Sequence, residues 1–193
     1  MRKHYPRLND ETYEFIKEEA SYLLVKYKIK CIPVSGFKIA SKLGVTVIPY
    51  SSLTERKLKA AIQTSEDGFL VEYDEKDYIF YNDVSQTYER QNWTILHEIG
   101  HIILDHNGHS EIEEAEANFF AKYIIAPPVL VYKIHAEDAM DIYINFDISY
   151  EAAVYAYRYY KKWLHQYQLK NKYTGYEKAL LVLYEENIIN KTA

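Results

Sequence analysis

The most specific chemistry in this 193-residue chain is carried by five consecutive residues, His97-Glu98-Ile99-Gly100-His101. On a helix, residues four apart differ by only ~40° and one turn, so both imidazoles project from one stripe. Two ring nitrogens so placed can meet one zinc ion at roughly 2.0–2.1 Å. Glu98 is displaced round the helix and reaches a metal-bound water rather than the metal. Zinc lowers the pKa of that water toward ~7, and the carboxylate takes the proton and later delivers it to a leaving amine. The spacing therefore assigns metal binding to His97 and His101 and general-base chemistry to Glu98.

The blander reading is two surface histidines on an amphipathic helix. Trp93, Leu96, Ile99, Ile102, Ile103 and Leu104 surround them and leave little exposed face, so the helix reads as largely buried. Buried histidine and glutamate need partners. Gly100 lies mid-helix, where it costs about 1 kcal/mol against alanine, and close approach of another backbone would explain it.

A catalytic zinc has three protein ligands and one water. The metzincin pattern requires glycine three residues and histidine six residues after the second histidine, but those places hold Leu104 and Asn107. His106 and His109 read as exposed residues of a polar turn. The remaining option is an acid on the following helix: Glu113, Glu114 or Glu116.

The run Arg90-Gln91-Asn92-Trp93-Thr94-Ile95-Leu96-His97-Glu98-Ile99-Gly100-His101 is followed by Glu114-Ala115-Glu116-Ala117-Asn118-Phe119-Phe120-Ala121 and by Ile124-Ile125-Ala126-Pro127. With Ile32-Pro33-Val34 and Ile39-Ala40-Ser41-Lys42-Leu43-Gly44 upstream, these segments resemble the ImmA/IrrE family of metallo-endopeptidases over about residues 20–130. The zinc motif alone is shared by many peptidases; the second segment is much more specific. Departures are small: Asp105 stands where members often carry histidine, and Ala126 where methionine is common. The resemblance implies a zinc endopeptidase engaged in regulatory proteolysis. Its substrate would be a helix-turn-helix repressor of a phage or mobile element. It also points to Glu114 as the third ligand.

Helix geometry agrees on Glu114. At ~100° per residue, Glu114 shares a stripe with Asn118, Ala121 and Ile125. Ligands usually come with polar neighbours that orient them, and among the three acids only Glu114 has one, Asn118, a turn further on. Glu113 is spent on a capping box with Ser110.

The elements that must position these residues are readable in outline. Asn9 or Asp10 caps a first helix, Pro33 interrupts the chain, and a short helix over about 35–43 stops at Gly44. Val45–Tyr50, Ala60–Thr64, Phe69–Tyr73 and Tyr78–Asn82 read as short strands, most simply antiparallel, with Tyr78–Asn82 at the sheet edge beside the metal to receive substrate as an added strand. From about Thr87 the period becomes helical: one helix to near His106–Gly108, another from Ser110 to Pro127-Pro128, then a helical tail with Ser149–Tyr167 and Tyr176–Ile189 clearest. The fold class is α+β, mainly helical, with a small antiparallel sheet packed against the active-site helix. Residues 1–130 form the expected metallopeptidase domain, and 131–193 a helical extension packed on it.

Composition bounds the rest. Hydrophobic residues make up 48% and charged residues 26%, ordinary for a globular chain. Net charge is −5, which argues against nucleic acid as the main partner. Arg158, Lys161 and Lys162 form a short basic run read as a solvated helix face. One cysteine, Cys31, excludes an internal disulfide and fits a reducing compartment. There is no apolar leader at the N-terminus and no stretch of the ~18 apolar residues a membrane span needs, so the expected location is cytoplasmic. Two other functions compete with the endopeptidase. A zinc-containing module could inactivate a repressor by binding alone, but such a site has no need of Glu98. A zinc exopeptidase or amidohydrolase would need a charged anchor for a substrate terminus; Arg90 is the candidate, though an ion pair beside the helix suits it better.

Overall fold

The computed structural model describes residues 5–108 and 110–189. In chain order the elements are α1 (Asp10–Lys26), α2 (Gly36–Leu43), β1 (Thr46–Pro49), a 3-10 turn (Tyr50–Ser52), α3 (Glu55–Thr64), β2 (Gly68–Tyr73), β3 (Lys76–Tyr81), α4 (Tyr88–Ile103), α5 (Glu111–Ile125), α6 (Pro128–Lys133), α7 (Ala139–Phe146), α8 (Tyr150–Lys170) and α9 (Gly175–Ile189). The protein is α+β and mainly helical, as the sequence predicts.

Local chemistry sets the helix ends. Asn9 caps α1 by accepting from the Thr12 N–H (2.8 Å). Ser35 caps α2, which ends at Gly44 in the left-handed region at φ 78°, a conformation glycine adopts without a Cβ clash. Ser110 and Glu113 form the expected box before α5: Glu113 N–H donates to Ser110 Oγ (3.2 Å) and Ser110 N–H to Glu113 Oε2 (2.8 Å).

Two strand expectations need correction. Ala60–Thr64 is not a strand but the last turns of α3. The run Ala60-Ala61-Ile62 looks extended in isolation, yet Glu55-Arg56-Lys57-Leu58-Lys59 before it are strong helix formers, and Ala61 is the buried residue of that helix. The sheet is also mixed rather than antiparallel. Its order is β1-β3-β2, with β1 parallel to β3 (Val47 opposite Ile79) and β2 antiparallel to β3 (Leu70 opposite Ile79). The chain leaves β1 through α3, skips one position to form β2, and turns back so that β3 fills the gap. Tyr78–Asn82 therefore lies at the centre of the sheet, and the free edges belong to β1 and β2.

The residues group into two compact units. The first comprises Met1–Pro6 and Ser35–Ala121, the second Arg7–Val34 and Lys122–Ala193. The sheet, α2, α3, α4 and most of α5 lie in the first. The described part of the segment 131–193, read from sequence as an extension, lies in the second, in company with α1. In the first unit the sheet packs on α4: Gly68 sits so close that an added Cβ would come 2.7 Å from Thr94 Cγ2. Buried Asn92 ties α4 to α2 by accepting from the Gly36 N–H (2.7 Å). In the second unit α1 packs against α9, and Ile16, Leu24, Leu180 and Leu183 are buried.

Candidate metal centre and active site

α4 is buried along its second half, from Asn92 to His101 apart from Trp93. Gly100 permits that burial. A Cβ on it would lie 3.2 Å from Ala117 Cα and 3.3 Å from Ala117 O, so the α5 backbone crosses directly over it. This crossing brings Glu114 of α5 to the stripe that carries His97 and His101.

The three side chains converge. His97 Nε2 and His101 Nε2 are 3.2 Å apart. Glu114 Oε2 is 3.7 Å from His97 Nε2, and Oε1 is 3.6 Å from His101 Nε2. Three donors about 2.0–2.1 Å from a common tetrahedral centre stand roughly 3.3 Å from one another, so the set is close enough to hold a metal ion. The chemistry of the donors fits too: two neutral imidazoles and a carboxylate. Burial together with the nearby His101 depresses the pKa of His97 to about 4, which keeps its ring nitrogens available as ligands.

Glu98 is 6% exposed and lies within electrostatic reach of His101 and Glu114. Burial raises its carboxyl pKa to about 7, and a backbone hydrogen bond from Leu70 of β2 opposes the rise. The Leu70 contact identifies which sheet edge lies beside the site. Asn82 N–H donates to Asp67 O (2.9 Å), so 67 and 82 are a hydrogen-bonded pair; by the alternation of an antiparallel ladder, Gly68, Leu70 and Glu72 direct their N–H and C=O groups away from β3. The edge at the site is β2, not the Tyr78–Asn82 strand expected from its position in sequence. A cleft of about 440 Å³ opens here, lined by Leu70, Glu72, His101 and His106 among others, with Glu75, Asp77 and Asp105 adding carboxylates.

The other residues singled out from sequence fall as follows. Asn118 is buried, and its amide donates to the Glu114 carbonyl oxygen (2.6 Å). Glu113 faces its capping box, and Glu116 faces His106 (2.9 Å) rather than the His97–His101 pair. Arg90 makes an ion pair with Asp67, including an Nε–Oδ1 hydrogen bond of 2.9 Å, and lies over the Trp93 ring, which stacks on His97. His106 corrects the sequence reading: its side chain is only 6% exposed, and its Nδ1 is 2.9 Å from His101 Nδ1. His109 lies outside the described residues. The sequence also failed to signal Leu70, whose contribution is a backbone group.

Two histidines one turn apart, a carboxylate from the next helix and a second, buried carboxylate are the side-chain types that a hydrolytic metal site uses. The family comparison agrees. The chain matches the IrrE N-terminal-like domain family, Peptidase_M78, over residues 40–158, and it belongs to that peptidase family. No curated protein matches it. No helix among the described residues is long and apolar enough to cross a membrane.

Proposed function

We propose that this chain is a zinc-dependent endopeptidase that cuts a regulatory protein, in the first instance a helix-turn-helix repressor of a phage or mobile element. The observation that carries the reading is the convergence of His97, His101 and Glu114 within 4.8 Å of one another, with the buried Glu98 alongside. Bound there, zinc would supply Lewis acidity toward water and the scissile carbonyl. The protein's own groups do the rest. Glu98, buried next to the first ligand, is placed to accept a proton from water and return it to the departing amine. Leu70 N–H holds that carboxyl in place, and Asn118 secures the turn of α5 that carries Glu114. The outward groups of β2 other than the Leu70 N–H, those of Glu72 among them, offer an extended peptide a ladder.

The endopeptidase reading is favoured over an exopeptidase because Arg90, the candidate anchor for a substrate terminus, is engaged by Asp67 and Trp93. The carboxylates round the cleft favour a substrate stretch bearing lysine or arginine, and DNA-binding proteins carry such basic surface. The proposed setting is the cytoplasm, where the repressor acts.

The test is to incubate the zinc-loaded protein with candidate helix-turn-helix repressors from its own genome and read the products by mass spectrometry. Wild type should cut at a defined site, and both a chelator and Glu98→Gln should stop it, the variant by about 10²–10⁴-fold. A repressor that loses DNA binding while remaining intact would favour the binding-module alternative.

A further inference from the structure

Beyond the ligands, the structure points to a residue that sets one of them. We infer that His106, itself held by Glu116, is the positioning residue for His101: it fixes the His101 tautomer and ring orientation so that Nε2 keeps its lone pair toward His97 and Glu114. The inference rests on the metal site proposed above.

The backbone places His106 there. α4 ends with Asp105 in the left-handed region (φ 54°). Asp105 N–H donates to Ile102 O (3.3 Å) and His106 N–H to His101 O (3.0 Å). These are the two bonds of a Schellman turn, which folds the second residue past the helix end back over the third-last residue within it. That contact is usually apolar. Here it joins two imidazoles with ring centroids 5.0 Å apart at 73°.

Hydrogen bookkeeping then fixes the direction. A carboxylate only accepts, so the 2.9 Å contact between His106 Nε2 and Glu116 Oε2 puts a hydrogen on His106 Nε2. A neutral ring with its hydrogen there has a bare Nδ1. In that neutral form of His106 the bare atom lies 2.9 Å from His101 Nδ1, so His101 donates. His101 carrying its hydrogen on Nδ1 has a bare Nε2, the atom facing the other two ligands. The Glu116–His106–His101 chain thus selects the metal-binding tautomer. Both nitrogens of His106 are used in the chain, so it is not a fourth ligand. Among the described residues His97 has no equivalent: its Nδ1 is buried and without a hydrogen-bond partner there, and stacking on Trp93 holds its ring instead. Orientation by hydrogen bonding therefore enters the site through His101.

The experiment has two readouts on the full-length protein. The first is nitrogen-15 NMR of the zinc-free wild type, which reports each histidine's tautomer without any substitution; His101 should carry its hydrogen on Nδ1. The second is zinc affinity by competition with a chromogenic chelator. His106→Ala and Glu116→Ala should each weaken binding roughly 10–100-fold. His106→Gln, whose carbonyl can accept the same N–H, should recover most of the loss, a rescue that packing alone would not give. A wild-type His101 with its hydrogen on Nε2 would overturn the inference. So would alanine variants that bind zinc as tightly as wild type. Failure of wild type to bind zinc, or binding indifferent to Glu114→Ala, would instead overturn the metal site on which the inference rests.

Discussion

Burial of Glu98 links activity to a stability cost that can be measured without substrate. Its pKa in the folded protein, about 7, exceeds the ordinary value of 4.5, so the folded state holds the proton more tightly. Its contribution is fully present below pH 4.5 and is lost as pH rises toward 7. His97 moves the other way, from 6.5 to about 4, so stability is gained as pH rises through that window and lost as it falls. Above about pH 7 both effects are complete and the Glu98 cost remains whole. Glu98→Gln removes it. The zinc-free variant is expected to exceed zinc-free wild type by on the order of 3 kcal/mol in urea unfolding near pH 8, with the difference vanishing near pH 4. Equal stabilities at both pH values would contradict this. The residues of this site were unevenly legible. His97, Glu98 and His101 are readable because helical periodicity alone fixes their relative directions. The choice of Glu114 also needed a single helix face. His106 was not readable, because its direction depends on a left-handed residue at Asp105 that sequence marks poorly; a histidine just past the end of a ligand helix is the signal that could have found it.

At the scale of elements, two glycines set how closely the scaffold closes on the site. A Cβ at Gly68 would meet Phe80 O at 2.5 Å, and one at Gly100 would meet Ala117 backbone atoms at 3.2 and 3.3 Å. The first contact forces a shift of the strand pair, while the second asks for a few tenths of an ångström between α4 and α5. Gly68→Ala should therefore destabilise more than Gly100→Ala, with overpacking costs of about 1–3 kcal/mol partly offset at Gly100 by helix propensity of about 1 kcal/mol. Gly100→Ala should also weaken zinc binding, because it pushes Glu114 away from the histidines. Thermal melts and zinc titrations of the pair check the order. The free edge of β2 gives a second expectation. Glu72 directs its N–H outward, so Glu72→Pro should leave the ladder to β3 intact while raising KM about tenfold, the equivalent of one lost hydrogen bond. An unchanged KM would remove β2 as the substrate ladder. That the edge is β2 was not readable from the strand pattern, which gives lengths but not order. Order here depends on the α3 crossover, and α3 was itself hidden in a run that looks extended.

Across the whole molecule, the candidate metal-site residues lie in one compact unit, yet α5 continues past Ala121 into the other. The second unit accounts for many of the 21 tyrosines. Tyr160, Tyr167 and Tyr173 stack on Trp163, and Trp163 Nε1 and Thr174 N–H both donate to buried Glu177 (2.5 and 2.7 Å). Composition could not distinguish this packing role from a surface one, because a tyrosine has both an apolar body and a polar tip. α9 closes the unit by burying Leu180, Leu183 and Tyr184. Each such side chain contributes about 1.5–3 kcal/mol, against a total of about 5–15 kcal/mol for a typical domain. A chain ending before Gly175 should therefore lose its cooperative thermal transition or melt far lower. An unchanged transition would make α9 dispensable. The helical tail was legible as helix, but its association with α1 was not, since nothing in either pattern names its partner.

On the proposed assignment, His97, His101 and Glu114 hold the metal and Glu98 does not. Metal analysis of purified, zinc-equilibrated proteins by plasma mass spectrometry tests it most directly. Wild type and Glu98→Gln should each hold one zinc per chain, and Glu114→Ala should lose it. Glu116→Ala should bind zinc more weakly but still bind it. Zinc retained by Glu114→Ala and lost from Glu116→Ala would contradict the assignment.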